Sequence, residues 1–304
     1  MPSLRDLVAS VAGRVGLDVE PIAPGAALLT RRRATSSGER TSPYRVARAT
    51  ARTVIVTPRS HDAQFRKLER GTYKWLGPEH LRHIINTYEI NCVLDVGANT
   101  GQYGELLRGV GYRGHIVSFE PVPRVFRQLR RATVGDRRWN ARRLALGREN
   151  GSLDLFVVSG TCSSALPASR YGMDRFTKLA EPKQVTVPVR RLDEILAEVL
   201  PSGLADPRVL LKLDTQGYDL EAFAGLGDGV RQVVALQSEL AQVPIYEGMP
   251  TMQQSLDVFQ AAGYEITGLF PVTRDPRTAR VLEFDCVMVR GSAFPEPSDA
   301  GSAP

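Results

Sequence analysis

The chain has 304 residues, of which 42% are hydrophobic and 24% are charged, and its formal net charge is +6. This length and composition allow a sizeable core, and they exclude wholesale disorder, a collagen-like repeat and a disulfide-stapled miniprotein. No apolar run approaches the ~18 residues of a membrane-spanning helix. The N-terminus lacks a secretory pattern, and the three cysteines are too scattered for a zinc site. We therefore expect a cytoplasmic protein with reduced cysteines.

The basic excess is concentrated near the N-terminus, where residues 1–60 carry ten arginines against four acids and the rest of the chain is neutral. We expect a basic helical and extended extension over 1–74, with a short helix at 3–15 and a loose strap over 31–59. The main domain is expected over 75–290. The Gly-, Ser- and Pro-rich tail, 291–304, is expected to be disordered.

Helix and strand patterns alternate through the main domain. Apolar spacing predicts a first helix over 79–88, with Pro78 in its first turn. The elements expected after it are strand 92–96, helix 102–109, strand 115–119, helix 122–131, strand 140–145, an inserted antiparallel pair at 153–158 and 184–190, strand 208–213, helix 219–226, strand 230–237, helix 251–262, and strands 264–270 and 282–289. This alternation predicts an α/β fold, doubly wound around a mostly parallel sheet whose last strand is antiparallel. Ligands of such sheets bind at the carboxyl ends of the strands.

The first strand of this series leads into a glycine-rich turn, Asp95–Gly101. Its glycines do not match the dinucleotide fingerprint, so hydride transfer is not predicted. The Asp-x-Gly-x-x-x-Gly spacing suits a ligand with an ammonium group near Asp95 and a carboxylate at the helix that opens at Gln102. Glu120, at the end of the next strand, is placed to accept hydrogen bonds from two ribose hydroxyls. Together these residues predict S-adenosylmethionine as the cofactor, against the alternative of a turn that binds nothing.

Two acids are candidates for chemistry on the acceptor. Asp214 follows strand 208–213 and Glu239 follows strand 230–237, and neighbouring strands would place both in one pocket. Methyl transfer from a sulfonium needs positioning, and a weakly nucleophilic acceptor also needs a base or a metal ion. Asp214 is either that base, a metal ligand, or a turn residue capping the next helix, and Glu239 is either functional or the buried partner of an arginine. Two acids are too few to assign a metal site.

Five segments, taken in order, resemble the FkbM-type methyltransferases. They are VLDVGANTGQYG, GHIVSFEP, LLKLDTQGYDLEAFAG, LQSELAQVPIYEGMP and EFDCVMVR. The resemblance implies the class I methyltransferase fold, a Rossmann-like sheet of seven mostly parallel strands. It also implies methyl transfer from S-adenosylmethionine to a hydroxyl of a sugar, a glycolipid sugar or a polyketide. Related sugar methyltransferases use magnesium, so the resemblance leaves a metal ion open.

The resemblance also carries site residues over, position by position. Those that match the cofactor loop are Asp95, Gly97, Ala98, Asn99 and Gly101. Glu120 matches the ribose-binding acid, with Phe119 and Pro121 beside the adenosine. Ala145 and Leu146 match the segment that lines the adenine. The stretch 161–164 matches the family's serine-rich loop. Apart from the resemblance, the segment 246–250 with the insertion 159–183 suits a lid over the site or a plain connector.

From this resemblance we expect an O-methyltransferase whose acceptor is a sugar or a glycosylated lipid. Two alternatives stay open: an acceptor that is a polyketide or another small hydroxylated metabolite, and a non-catalytic S-adenosylmethionine-binding module. Nucleic acid is not an expected partner, because the Asn-Pro-Pro-Tyr and Pro-Cys motifs of nucleic-acid methyltransferases are absent. Nine arginines over 124–148 suit a solvated helix face or an anionic acceptor. The segment 3–15 suits peripheral membrane contact or a homo-oligomer interface.

Overall fold

The chain divides into two units, residues 1–72 and 73–304. The first unit contains two antiparallel hairpins. The computed structural model describes residues 17–23, 26–31, 44–48, 54–58, 63–275 and 277–294. In the first unit β1 (Leu17–Ala23) pairs with β2 (Ala26–Arg31), and β3 (Tyr44–Arg48) pairs with β4 (Val54–Pro58).

The sequence patterns did not predict either hairpin. The expected loose strap over 31–59 contains β3 and β4, because the β-branched run at the start of β4 favours a strand despite its arginine- and threonine-rich surroundings. The helix expected at 3–15 lies outside the described residues. The part of the expected tail after Phe294 also lies outside them.

The helix α1 (Ala63–Thr87) is longer than its pattern predicts. We expected a start at residue 79, but the helix begins at Ala63 and runs through Pro78. A proline inside a helix removes one backbone donor, which is why the sequence suggested a terminus there. The helix continues because its second half is anchored: Leu81, Ile84 and Ile85 are buried against the sheet.

Strands and helices then alternate through the main domain, with two helices, at Arg170–Arg175 and Leu192–Val199, that the sequence patterns did not predict. They are β5 (Cys92–Val96), α2 (Gln102–Gly109), β6 (His115–Phe119), α3 (Pro123–Ala132), β7 (Trp139–Arg142), β8 (Ala145–Leu146), β9 (Gly151–Val157), α4 (Arg170–Arg175), β10 (Lys183–Arg190), α5 (Leu192–Val199), β11 (Val209–Leu213), α6 (Asp219–Ala224), β12 (Val233–Ala241), α7 (Met252–Ala261), β13 (Tyr264–Arg274) and β14 (Val281–Arg290). The seven-stranded sheet has the order β13-β14-β12-β11-β5-β6-β7. Its last strand, β14, runs antiparallel to both neighbours, so the predicted doubly wound α/β fold is confirmed.

The inserted antiparallel pair is also confirmed, as β9 and β10, but it belongs to a second sheet of order β8-β10-β9. The single strand expected at 140–145 is therefore wrong. The chain leaves the main sheet after β7 and pairs again as β8 with β10.

The strand β12 is displaced from its predicted range. We expected it at 230–237, but a 3₁₀ turn occupies Gly227–Gln232 and the strand continues to Ala241. Its C-terminal half pairs with β14, through Glu239 opposite Asp285 and Ala241 opposite Glu283. Glu239 is thus a residue of the strand and does not follow it.

Helices cover both faces of the main sheet. β5 and β11 are buried along their whole length, as expected for central parallel strands. Leu94, Val96, Leu211 and Leu213 pack on the side of α5, α6 and α7. The opposite face packs under α1, α2 and α3. None of the helices in the described ranges is long and apolar enough to cross a bilayer.

Candidate functional site

The turn after β5 brings its backbone against the loop after β11. Gly97, Asn99 and Gly101 all have positive φ angles, of 80°, 50° and 102°. A Cβ atom on Gly97 would overlap the carbonyl oxygen of Asp214, so this position admits only glycine. The two loops are therefore packed backbone to backbone at the carboxyl edge of the sheet.

The same turn is tied to the end of β6. The amides of Gly97 and Ala98 donate to the Phe119 carbonyl at 3.1 and 2.9 Å. The Asn99 amide donates to Glu120 Oε2 at 3.0 Å, and the Val122 amide donates to Glu120 Oε1 at 2.8 Å. Burial raises the pKa of Glu120 to about 7.

These residues fit S-adenosylmethionine. Each carboxylate oxygen of Glu120 accepts one hydrogen bond from the backbone and can accept another, so two ribose hydroxyls find acceptors. Gly101, the residue before α2, supplies no side-chain cap, so the opening N–H groups of that helix can take a carboxylate. Glu120 and the turn would hold the cofactor, which supplies a methyl group activated on a sulfonium.

Asp95 does not contact the site in the way its sequence position suggests. Its side chain is fully buried, and the Ser118 hydroxyl donates to Oδ2 at 2.9 Å. Oδ1 lies 3.5 Å from Lys212 Nζ and accepts no hydrogen bond. We expected the cofactor's ammonium group beside Asp95; the structure instead pairs it with a lysine of the protein.

The adenosine contacts expected from the resemblance are only partly available. The Phe119 ring is fully buried, because successive strand residues face opposite sides of the sheet and Phe119 faces the α5–α7 side. Leu146 is buried in the same core, and Ala145 is buried in a small cluster with Val122. Pro121 is half-buried beside Glu120. Phe119 reaches the turn through its carbonyl, and its place beside the adenosine stays a prediction.

A row of polar side chains crosses the buried sheet beneath the turn. Ser118, Asp95, Lys212 and Gln237 are register partners on β6, β5, β11 and β12. Tyr103 of α2 covers this row, with its hydroxyl donating to Gln237 Oε1 at 2.7 Å and its ring 5.2 Å from Lys212 Nζ. Directly opposite residues in adjacent strands share one face, which explains why these groups meet.

Gln216 joins the two predicted catalytic acids. Its Nε2 donates to Asp214 Oδ1 at 2.9 Å and to Glu239 Oε2 at 3.0 Å. The other Asp214 oxygen, Oδ2, lies 3.0 Å from Lys212 Nζ. Gln216 itself has a positive φ of 56°, so its backbone is held in an unusual conformation. Asp214 and Glu239 share one pocket, with an amide between them.

The pocket is acidic. Burial, followed by the neighbouring Asp214, raises the pKa of Glu239 well above its ordinary value. The same two causes raise the pKa of Asp285 to about 6. Burial alone would lower the pKa of Lys212, but Asp214 and Asp95 outweigh it and raise that pKa. The lysine is therefore charged, and the Asp214–Glu239 pair resists carrying two negative charges.

Asp219, the first residue of α6, holds the loop after β11 in place. Its carboxylate accepts from the Thr215 amide at 2.7 Å, from the Thr215 hydroxyl, and from the Ser238 hydroxyl at 2.8 Å. It thereby ties the loop carrying Asp214 to β12 and positions the two acids.

The two rim segments meet above Gln216. The Ser164 hydroxyl donates to the Gln216 carbonyl at 2.6 Å. The Tyr246 hydroxyl lies 2.8 Å from the Cys162 carbonyl and 3.3 Å from Gln216 Oε1. Ala168 and Tyr246 also form an isolated backbone bridge. The serine-rich loop and the 246–250 segment together bound the pocket.

Sequence reasoning missed Lys212 and the bridging role of Gln216. The signal for Lys212 was present, since a single charged residue interrupts the apolar run Val209–Leu213. Gln216 offered no such signal, because its role depends on the loop after β11 meeting Glu239 of the neighbouring strand β12. Within the described residues no three His, Cys, Asp or Glu side chains are arranged to hold a metal ion.

The strand order, the glycine turn and the acid after β6 define a class I S-adenosylmethionine-dependent methyltransferase. The Methyltransferase FkbM domain family matches residues 95–266, which is more than half of the chain. The chain belongs to this family and is an S-adenosylmethionine-dependent methyltransferase. No curated protein sequence matches it.

The chain is also similar to several solved structures of methyltransferases. One is Aeropyrum pernix fibrillarin with natively bound S-adenosyl-L-methionine, at 14% identity over 90% of this chain and 94% of that chain, with a TM-score of 0.38. Another is magnesium protoporphyrin IX methyltransferase from Synechocystis, at 9% identity over 76% and 86%, with a TM-score of 0.39. A third is precorrin-6y C5,15-methyltransferase from Geobacter metallireducens, at 10% identity over 69% and 88%, with a TM-score of 0.37. The family assignment rests on the domain match alone.

Proposed function

We propose that this enzyme is an O-methyltransferase that methylates a hydroxyl group of a sugar or of a glycosylated lipid. The observation that supports it is the carboxylate pair Asp214 and Glu239 bridged by the Gln216 amide. Carboxylates, an amide and the nearby Tyr246 hydroxyl are groups that hydrogen-bond to polyols. The same pocket offers a proton acceptor, which an alcohol needs and an already nucleophilic amine needs less.

Asp214 is the base in this proposal. Its side chain is 37% exposed, whereas Glu239 is held deeper in the pocket. Lys212 and Gln216 each hold one of its oxygens and so fix its orientation. Burial raises the pKa of Glu239, so this acid keeps its proton, and the more exposed Asp214 faces the acceptor.

The methyl group is then transferred in a single displacement step. Asp214 accepts the proton as the acceptor O–H bond breaks, while the acceptor oxygen forms its bond to the methyl carbon and the sulfur leaves as a neutral thioether. The rim segments at 161–164 and 246–250 exclude water and hold the acceptor in line.

A methyl-transfer assay with a panel of acceptors tests this function. Purified enzyme and S-adenosylmethionine are incubated with methyl glycosides, glycolipids, polyketide hydroxyls and amines, with and without magnesium, and products are identified by mass spectrometry. Asp214→Asn is expected to lower kcat by roughly 10²–10⁴-fold while cofactor binding is retained. Asp228→Asn, at a side chain that is 98% exposed, is the matched control and should keep full activity.

Methylation of amines in preference to every hydroxyl would overturn the proposal, and so would an Asp214→Asn variant with wild-type kcat. Turnover of polyketide hydroxyls with no sugar product would replace the acceptor class while leaving O-methylation in place. Activity only with magnesium would assign the acids to a metal instead of to the proton.

A further inference from the structure

The outer face of α3 carries four arginines and no acid. Arg124, Arg127, Arg130 and Arg131 are all exposed. At 100° per residue these four positions lie within an arc of about 120°. Leu129, on the opposite side, is fully buried. The helix therefore presents a continuous row of guanidinium groups to solvent. We call these four residues, with Arg137 in the turn that follows, the arginine patch.

Among the described residues, no acidic side chain neutralises the positive charge of the arginine patch. The acid in the turn after α3 is used elsewhere, since Asp136 pairs with Arg108 at 2.7 Å. None of the five patch arginines has a carboxylate within ion-pair distance among the described residues. A cluster of five uncompensated charges produces a local positive potential that a neutral surface would lack.

An apolar side chain stands at the end of this patch. Val134 is 81% exposed, the highest value for any large hydrophobic residue that the structure describes. It lies in the turn between Arg131 and Arg137. The aromatic residues of this segment are turned inward, with Trp139 buried and Phe126 half-buried. A cluster of cationic side chains around one exposed aliphatic side chain is suited to binding the headgroup layer of a lipid membrane. Single-stranded nucleic acid is instead bound on exposed aromatic side chains, which this surface lacks.

The patch begins at the cofactor edge of the sheet and runs toward the opposite edge, where the turn after α3 leads into the start of β7. α3 begins three residues after Glu120, and it packs beside β7, the edge strand. We propose that α3 and the turn after it dock this enzyme on an anionic phospholipid surface, with the arginines against the phosphates and Val134 in the headgroup layer. This docking does not depend on which hydroxyl the enzyme methylates.

Vesicle co-sedimentation of the full chain tests the proposal. The lipids are pure phosphatidylcholine and an equal mixture of phosphatidylcholine and phosphatidylglycerol. One variant changes Arg124, Arg127, Arg130 and Arg131 to Gln. Its matched control changes the same number of exposed arginines elsewhere and so removes the same charge: Arg170, Arg231, Arg277 and Arg280 to Gln. A third variant is Val134→Ser.

We expect binding to the anionic vesicles only. The patch variant should lose about five-fold in partition coefficient for each arginine removed, hence two to three orders of magnitude in all. The control should stay close to wild type, and Val134→Ser should bind a few-fold more weakly. Circular dichroism and thermal unfolding of each variant check that the fold is kept.

Equal losses in the patch variant and its control would overturn the proposal, since binding would then follow net charge or the basic N-terminal region. Failure of the wild type to bind anionic vesicles would also overturn it. Fluorescence anisotropy with a short DNA oligonucleotide runs in parallel. A patch-dependent loss of DNA binding without a loss of vesicle binding would assign the surface to nucleic acid instead.

Discussion

Lys212 is the cation on which the buried polar row depends, so Lys212→Met is expected to destabilise the enzyme strongly. Its Nζ lies 3.5 Å from Asp95 Oδ1 and 3.0 Å from Asp214 Oδ2. Without it, the fully buried Asp95 keeps only the Ser118 hydroxyl as a partner. Removing one partner of a buried ion pair costs about 3–5 kcal/mol. In a domain of this size each kcal/mol lowers Tm by about 2–4 °C, so we expect a drop of roughly 6–20 °C.

The sign of the pH dependence follows from Asp95. Burial raises its pKa, and Lys212 is the largest influence that lowers it, so the substitution raises the folded-state pKa further. A folded-state pKa above the unfolded value makes the folded protein bind the extra proton. Stability is therefore gained as pH falls from the folded pKa towards the ordinary pKa of an aspartate. The deficit of Lys212→Met should be largest at pH 8 and should shrink at pH 5.

Thermal and urea unfolding at these two pH values measure the effect. Lys183→Met, at an exposed lysine of β10, is the control and should unfold like wild type. Adding Asp95→Asn to Lys212→Met removes the buried charge and should restore most of the lost stability. A Tm within 2 °C of wild type, or a double variant no more stable than Lys212→Met, would show that the ion pair is not what holds this row.

Three further predictions concern Glu120 and the cofactor turn. Glu120→Ala should weaken S-adenosylmethionine binding by roughly 10–100-fold in calorimetric titration, because two charge-assisted hydrogen bonds are lost; Glu149→Ala, at an exposed acid, should bind normally. Since burial raises the pKa of Glu120 to about 7, wild-type affinity should fall as pH drops through 7 and the carboxylate is protonated, and a pH profile equally steep in Glu120→Gln would contradict this. Gly97→Ala should lower Tm by several degrees, since the new Cβ meets the Asp214 carbonyl at a φ of 80°, whereas Gly109→Ala, with open space around it, should not.

The elements around the cofactor turn were predictable because their signals are local. The bounds of β5, α2 and β6 follow from short apolar runs and a glycine-rich turn, and the structure has them where the sequence placed them. The position of Glu120 at the end of β6 follows from the same reasoning. The antiparallel β14 was predictable because no helix separates it from β13.

Other elements needed tertiary partners. α1 runs through Pro78 because its apolar face is buried, and β12 continues to Ala241 because β14 pairs with it. Neither effect is visible in a single segment, since propensity is outweighed by packing and by ladder hydrogen bonds.

The sequence by itself determined the fold class, the glycine turn and the candidate acids, because spacing along the chain decides each of these. Only the tertiary structure decided that Asp95 pairs with Lys212 and that Gln216 joins Asp214 to Glu239. The first contact depends on the register between β5 and β11, and the second on the loop after β11 meeting Glu239 when β11 and β12 lie side by side. Register is set by the whole sheet, so these pairings became definite only with the strands in place.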